Sequence, residues 1–322
     1  MVEKIHPIYS YAIKQPIKGR YRKLLVLLFT TLFLPSGLIS TLAPAAQAQY
    51  IRLIPTTTGG QFNTSTTGAS AVSIGAAAAL GRESIAVGSN AETTNGAEFG
   101  IAIGRQASVR DNGATVSGAI AIGESANVSS PNATAVGRSS TAASSGTALG
   151  ANTNAAGTSS TALGSGARSQ GSNSVAVGNN AQAQSNGAIA TGNNAQVGIS
   201  TINGNTTTFN APNAIATGTN AQAQSSGAIA TGHNAQAGGI FNINGNTTTF
   251  NAPNSIATGT DAKAQSSGAI ATGFSATASG SAAIATGSSA TASGSTAIAT
   301  GNQANASGGA AIATGSNPVL SL

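Results

Sequence analysis

Cysteine and tryptophan are missing from all 322 residues, and aromatic side chains make up only 4% of them. Without cysteine there is no disulfide staple, no thiolate metal site and no lipid-modified N-terminal cysteine. Charge is scarce too: Asp, Glu, Lys and Arg together reach 6%. A conventional globular core needs bulky apolar side chains in quantity, and this composition cannot fill one. Histidine occurs twice, only once beyond residue 48 (His233), and the acids are scattered. Metal binding and acid–base catalysis need such groups clustered. HExxH, GxSxG and the P-loop are absent, and the calcium-binding RTX repeat needs an Asp in each turn. The Gly-x-Gly of "GSGARSQG" at 164–171 falls inside the repeat described below. The expectation is a protein that is not an enzyme, with no catalytic residues, no cofactor, no metal and no small-molecule substrate.

The formal charge of +6 and the pI of about 10.1 suggest a nucleic-acid partner only at first sight. Six of the 13 basic residues (Lys4, Lys14, Lys18, Arg20, Arg22 and Lys23) lie in the first 23 positions, beside one acid, Glu3. From residue 49 onward seven basic and six acidic residues leave +1. No nucleic-acid partner is expected.

That basic N-terminus leads into "LLVLLFTTLFL" and then "APAAQAQ". A basic region, a short apolar core and a small-x-small site at Ala46-Gln47-Ala48 read as a signal peptide over 1–48, cut before Gln49. The apolar run is short for a transmembrane span. Residues 49–70 read as a lead-in.

What the chain does have is Gly, Ala, Ser, Thr and Asn in a strict rhythm. Segments such as Ala-Ile-Ala-Thr-Gly or Ser-Val-Ala-Val-Gly end at glycines 75, 88, 104, 123, 137, 150, 164, 178, 192, 218, 232, 259, 273, 287, 301 and 315. From Gly123 the step is 13 or 14 residues, except for two long steps. Those two contain near copies, "ISTINGNTTTFNAPN" at 199–213 and "IFNINGNTTTFNAPN" at 240–254. Alternation around Asn-Gly predicts a β-hairpin in each. In an ordinary repeat such as "NSVAVGNNAQAQSNG" at 173–187, strand one is SVAVG and strand two is AQAQ, with permissive corner residues between them. A period of 14 is too short for helix pairs or propeller blades. It suits an all-β parallel β-roll, or β-solenoid, of two-stranded coils over 71–316. Sixteen coils would stack to roughly 75 Å.

Strand two alternates Ala with polar residues and reads as half-buried. Strand one does not alternate, and such a strand asks for cover on both faces. One face closes on strand two; the chain has no spare element for the other. The second cover is expected to be another copy of the chain. In "GAIATG" Ile270 and Thr272 share one face and Ala269 and Ala271 the other. The Thr ladder from Thr191 to Thr314 is expected to bond to backbone carbonyls or to the neighbouring chain.

Runs such as "NSVAVGNNAQAQSNGAIATG" at 173–192 are similar to the Hep/Hag head repeats of YadA-like trimeric autotransporter adhesins. The resemblance covers roughly 71–316. It implies a left-handed parallel β-roll, a homotrimer, and display at the outer membrane or cell surface of a Gram-negative bacterium after secretion across the inner membrane. The implied role is adhesion, to an extracellular matrix protein, to cells or to another surface ligand, as in virulence. Such proteins continue into a coiled-coil stalk and a β-barrel anchor. Here residues 317–322 read as a tail without either.

Candidate ligand contacts fall in two groups. The family associates an N-S-V-A-I-G-like segment with collagen binding, which Asn173, Ser174, Val175, Ala176, Val177 and Gly178 match, and "NSIATG" at 254–259 matches loosely. The alternative is that these are simply strand one. The hairpins offer Asn203, Asn205 and Phe209, and Asn244, Asn246 and Phe250, either as contacts or as passive decoration. His233 shares a corner slot with Asn193 and Thr219 and reads as a surface residue. Polar rows on strand two (Gln182, Gln222, Thr277, Thr291 and Asn305) suit many weak contacts. The rival functions are ice binding, which would need an exposed Thr-x-Thr array, and a purely structural surface β-solenoid.

Overall fold

The computed structural model describes residues 52–53, 65–66, 68, 70–113, 115–202, 205–243 and 246–321. All lie in the compact unit Gln49–Leu322. The expected signal peptide and most of the lead-in lie outside the described residues.

Every regular element among the described residues is a β-strand, and two kinds alternate along the chain. Three-residue strands run from Val72–Ile74 to Ile312–Thr314; two-residue strands run from Ser65–Thr66 to Val319–Leu320. Each pairs in parallel with its equivalent one coil later. Thus Ile256, Ala257 and Thr258 stand opposite Ile270, Ala271 and Thr272, and Ala264 stands opposite Ala278. The result is a β-solenoid of about sixteen turns, each of about 14 residues, with two parallel ladders facing each other.

The space between the ladders is filled almost entirely by alanine. Ala190 of one strand and Ala183 of the other are fully buried, as are Ala188 and Ala181 immediately before them. In a strand successive side chains point to opposite faces, so Ala at every second position of both strands makes a thin, dry interior. The largest fully buried side chains are Val109, Val116, Val128 and Val197. Val116 belongs to the long coil between Gly104 and Gly123. There Asp111 accepts a hydrogen bond from the Gly96 N–H (3.1 Å) and its own N–H reaches Thr94 Oγ1 (2.8 Å).

The corners explain the spacing of the glycines. Gly192 has φ +130°, and a Cβ there would lie 2.5 Å from the carbonyl oxygen of Gly218 in the next coil. Both the backbone angle and the close approach demand glycine. Two residues later the chain turns through the left-handed region, at Asn180 (φ 53°), Asn194 (φ 52°) and Asn220 (φ 56°). Asn tolerates this conformation better than most residues. Backbone rungs join these corners, Asn194 N–H to Asn179 O and Asn220 N–H to Asn193 O, both at 2.9 Å.

The two long steps hold antiparallel hairpins, Ile199–Ile202 with Asn205–Thr208 and Gly239–Ile243 with Asn246–Phe250. They leave the roll after strand two and return before the next strand one, so the ladder is uninterrupted: Ile189, Ala190 and Thr191 pair with Ile215, Ala216 and Thr217 across the first insertion. Ser185 Oγ accepts the Ala211 N–H (2.9 Å) where the first hairpin rejoins, and Ser225 Oγ accepts the Ala252 N–H (3.0 Å) below the second. Buried Gln224 donates to the Ile199 carbonyl (3.1 Å), tying the first hairpin to the coil beneath it.

Candidate binding surfaces

Each coil offers the outside three kinds of surface: the outer face of strand one, the outer face of strand two, and the corners. The outer face of strand one carries two adjacent columns. The first holds Val72, Ile85, Ile101 and Ile120, then Thr134, Thr147 and Thr161, then Val175 and an unbroken run from Ile189 to Ile312. The second is apolar from Ile74 to Val177 and Thr from Thr191 to Thr314. Most of these side chains are half-buried in the single chain; Leu149 is 46% and Leu163 41% exposed. Thr217, Thr231, Thr286 and Thr300 are exposed. The Thr hydroxyls from Thr191 to Thr314 make no hydrogen bond within the chain among the described residues. The expected bonds to the chain's own carbonyls are therefore not formed. The reason is geometric: the in-plane bonds of the parallel ladder already use those carbonyls, while the hydroxyls point out of the sheet.

The segment Asn173–Gly178 is divided among three environments. Asn173 is an exposed corner residue with φ 56°. Ser174 is fully buried and bonds to the Gly171 carbonyl and to Ser169 Oγ, both at 2.6 Å. Ala176 is in the core, and Val175 and Val177 lie half-buried on the outer strand-one face, with Gly178 at the following corner. Ser255 in the related segment is also fully buried, but its Oγ has no partner. The difference is local: strand two of the Ser174 coil has Ser169 where most coils have Ala.

Of the hairpin candidates, Asn203 and Asn244 lie outside the described residues. Asn205 pairs with Ile202 and Asn246 with Ile243, next to the turns. Phe209 is half-buried at the hairpin base, its N–H bonded to the Gly198 carbonyl (2.8 Å). Phe250 stands opposite Gly239, also at a base. His233 is an exposed corner residue, and the Asn234 beside it donates to Asp261 Oδ1 (3.0 Å).

Several features were not anticipated from the sequence. The charges of the early coils pair between neighbours: Arg82 with Glu98 (3.2 Å) and Glu83 (2.8 Å), Arg110 with Glu92 (2.7 Å), and Arg105 with Glu124. Arg82 also lies 4.8 Å from the ring centroid of Phe99. The hydrogen bond and charge of Glu98 hold the Arg82 guanidinium above its ordinary pKa. The partners one coil apart are separated by 16, 18 and 19 residues, because the early coils are longer than the later ones, so counting from one closing glycine to the next, not a fixed period, is the signal that finds these pairs. Exposed pairs of this kind contribute little to stability. Among the described residues no cluster of three His, Cys, Asp or Glu is placed to hold a metal.

The same coils are what the family comparison detects. The family model of the YadA head domain repeat (2 copies) matches residues 79–107, 117–140, 143–167, 169–195, 210–235 and 251–276. The protein is a YadA-like head-domain chain. The gap between the fourth and fifth matches contains the first hairpin and that between the fifth and sixth the second. YadA-like heads serve an adhesin-type surface function. No curated protein matches the chain.

Proposed function

We propose that this YadA-like head is a homotrimeric adhesin, exported through its N-terminal signal peptide and displayed at a Gram-negative cell surface. The observation that carries the proposal is the outer face of strand one. It presents Ile, Val, Leu and Thr, with no charge, over every coil from Val72 to Thr314. Such a continuous uncharged face is what an interface between copies is made of. The interior adds weight: an alanine core buries little area per coil, at roughly 25 cal/mol/Å², so covering the outer columns supplies burial that the roll needs. In the trimer the Thr hydroxyls find partners on the neighbouring chain.

Attachment is multivalent, many weak contacts summed over three chains and many coils. The trimer seam would cover Val175 and Val177, so of segment 173–178 Asn173 is the residue a matrix ligand reaches. The hairpin ends at Asn203–Asn205 and Asn244–Asn246 are the second proposed contact. Ice binding is the weaker reading, because the column beside each Thr from Thr191 on is Ile, not a second Thr.

The test is attachment of cells displaying the chain to collagen-coated and uncoated surfaces, with Ile270→Asp as the comparison. Display should confer attachment, and the Asp substitution, which places a charge in the seam, should abolish it. Equal attachment with and without the chain would remove the adhesin reading.

A further inference from the structure

The outer column of strand two contains a run unlike the rest. Arg168 is in register with Gln182, Gln182 with Gln196, Gln196 with Gln222, Gln222 with Gln236, and Gln236 with Lys263. Four consecutive glutamines are thus bracketed by two cations. Five steps between parallel strands span about 24 Å. Neither Arg168 nor Lys263 has an ion-pair or hydrogen-bond partner for its charged group among the described residues. The nearest acid in sequence, Asp261, belongs to the corner and is bonded by Asn234.

The Arg168 end opens into a cleft of about 540 Å³, lined by Asn152, Ser165, Gly166, Arg168, Asn180, Gln182 and Asn194. The cleft has a specific cause. Gly166 (φ +69°) occupies the left-handed corner slot that Asn152, Asn180 and Asn194 fill in the neighbouring coils. The missing side chain leaves a notch, and Asn180 leans into it so far that a Cβ on Gly166 would collide with Asn180 Oδ1. An unpaired guanidinium therefore stands beside a pocket walled by carboxamides.

We propose that this stripe, from the Gly166 notch to Lys263, is a binding track for a linear polysaccharide that carries carboxylates. A guanidinium grips a carboxylate through two parallel hydrogen bonds. Carboxamides both donate and accept, as a polymer of sugar hydroxyls requires. Two cations about 24 Å apart can each hold a carboxylate of one extended chain, with the carboxamides between them meeting the hydroxyls of the intervening sugars. Nucleic acid would demand a far denser row of cations. The proposal uses the trimer reading in one respect only, that the seam lies on strand one and leaves strand two free.

The experiment is retention of the purified full chain on immobilised polygalacturonate, dextran and duplex DNA, with light scattering on the same samples. Polygalacturonate should retain the chain and dextran should not. Arg168→Gln and Lys263→Gln should each weaken retention roughly tenfold, while Arg82→Gln, away from the stripe, should leave it unchanged. No retention on polygalacturonate, indifference to both stripe substitutions, or tighter binding to DNA would each overturn the proposal. A trimer that fails to bind removes this inference alone. A monomer that binds removes the trimer and leaves the stripe standing.

Discussion

Gly192 and Gly218 are stacked so closely that the backbone of one coil rests on the backbone of the next: a Cβ on Gly192 would sit 2.5 Å from the Gly218 carbonyl oxygen. The same relation recurs at Gly218 over Gly232 and Gly232 over Gly259, each at 2.5 Å. Gly192→Ala combines a forbidden backbone angle with a backbone clash. It should destabilise the roll by about 2–4 kcal/mol, read as a lowered denaturation midpoint.

The alanine core should resist enlargement. Ala271 is fully buried between two ladders, and no rotamer of a longer side chain fits without moving a strand. Ala271→Leu should cost about 1–3 kcal/mol. Because each coil touches mainly its neighbours, hydrogen exchange should quicken first in the coils around 257 and 285, not along the whole stack.

Ser225 tests the attachment of the second hairpin. Its hydroxyl is the only acceptor for the Ala252 N–H among the described residues. Ser225→Ala leaves that buried donor unpaired, a loss of about 1–3 kcal/mol. Faster amide exchange at Ala252, with unchanged exchange in coils beyond 284, is the expected signature.

Thr296 is a β-branched residue held at φ 56° in a corner slot where four other coils place Asn (Asn132, Asn173, Asn213 and Asn254) and four place Gly. Thr296→Asn should stabilise the protein by about 0.5–1 kcal/mol, measured by thermal unfolding.

The coil length, the two-strand division and the place of both hairpins are legible in the sequence because a repeat shows its own period. The closing glycines mark one corner and the Ala-x-Ala pairs mark the buried face, so the pattern itself turns Ala181 and Ala183 inward. Strand one is less legible. Its Ala and Ile alternate in exposure, but both are apolar, so composition conceals which face is inside. The structure turns the Ala inward in nearly every coil, and the interior holds no fully buried side chain larger than Val among the described residues. Vertical neighbours were also legible in principle, since Arg82 and Glu98 or Arg168 and Gln182 are one coil apart. What the period does not disclose is a gap: the notch at Gly166 exists only because Asn152 and Asn180 flank it in space. Likewise Ser174 looks like part of an exposed motif until the pleat turns it into the interior toward Ser169.

In the proposed trimer the outer columns of strand one, exemplified by Ile270 and Thr272, are covered by other copies of the chain. Light scattering on the purified chain measures this directly. The mass of three chains is expected at micromolar concentration, falling to one on Ile270→Asp combined with Ile284→Asp. A stable, folded wild-type monomer would contradict it.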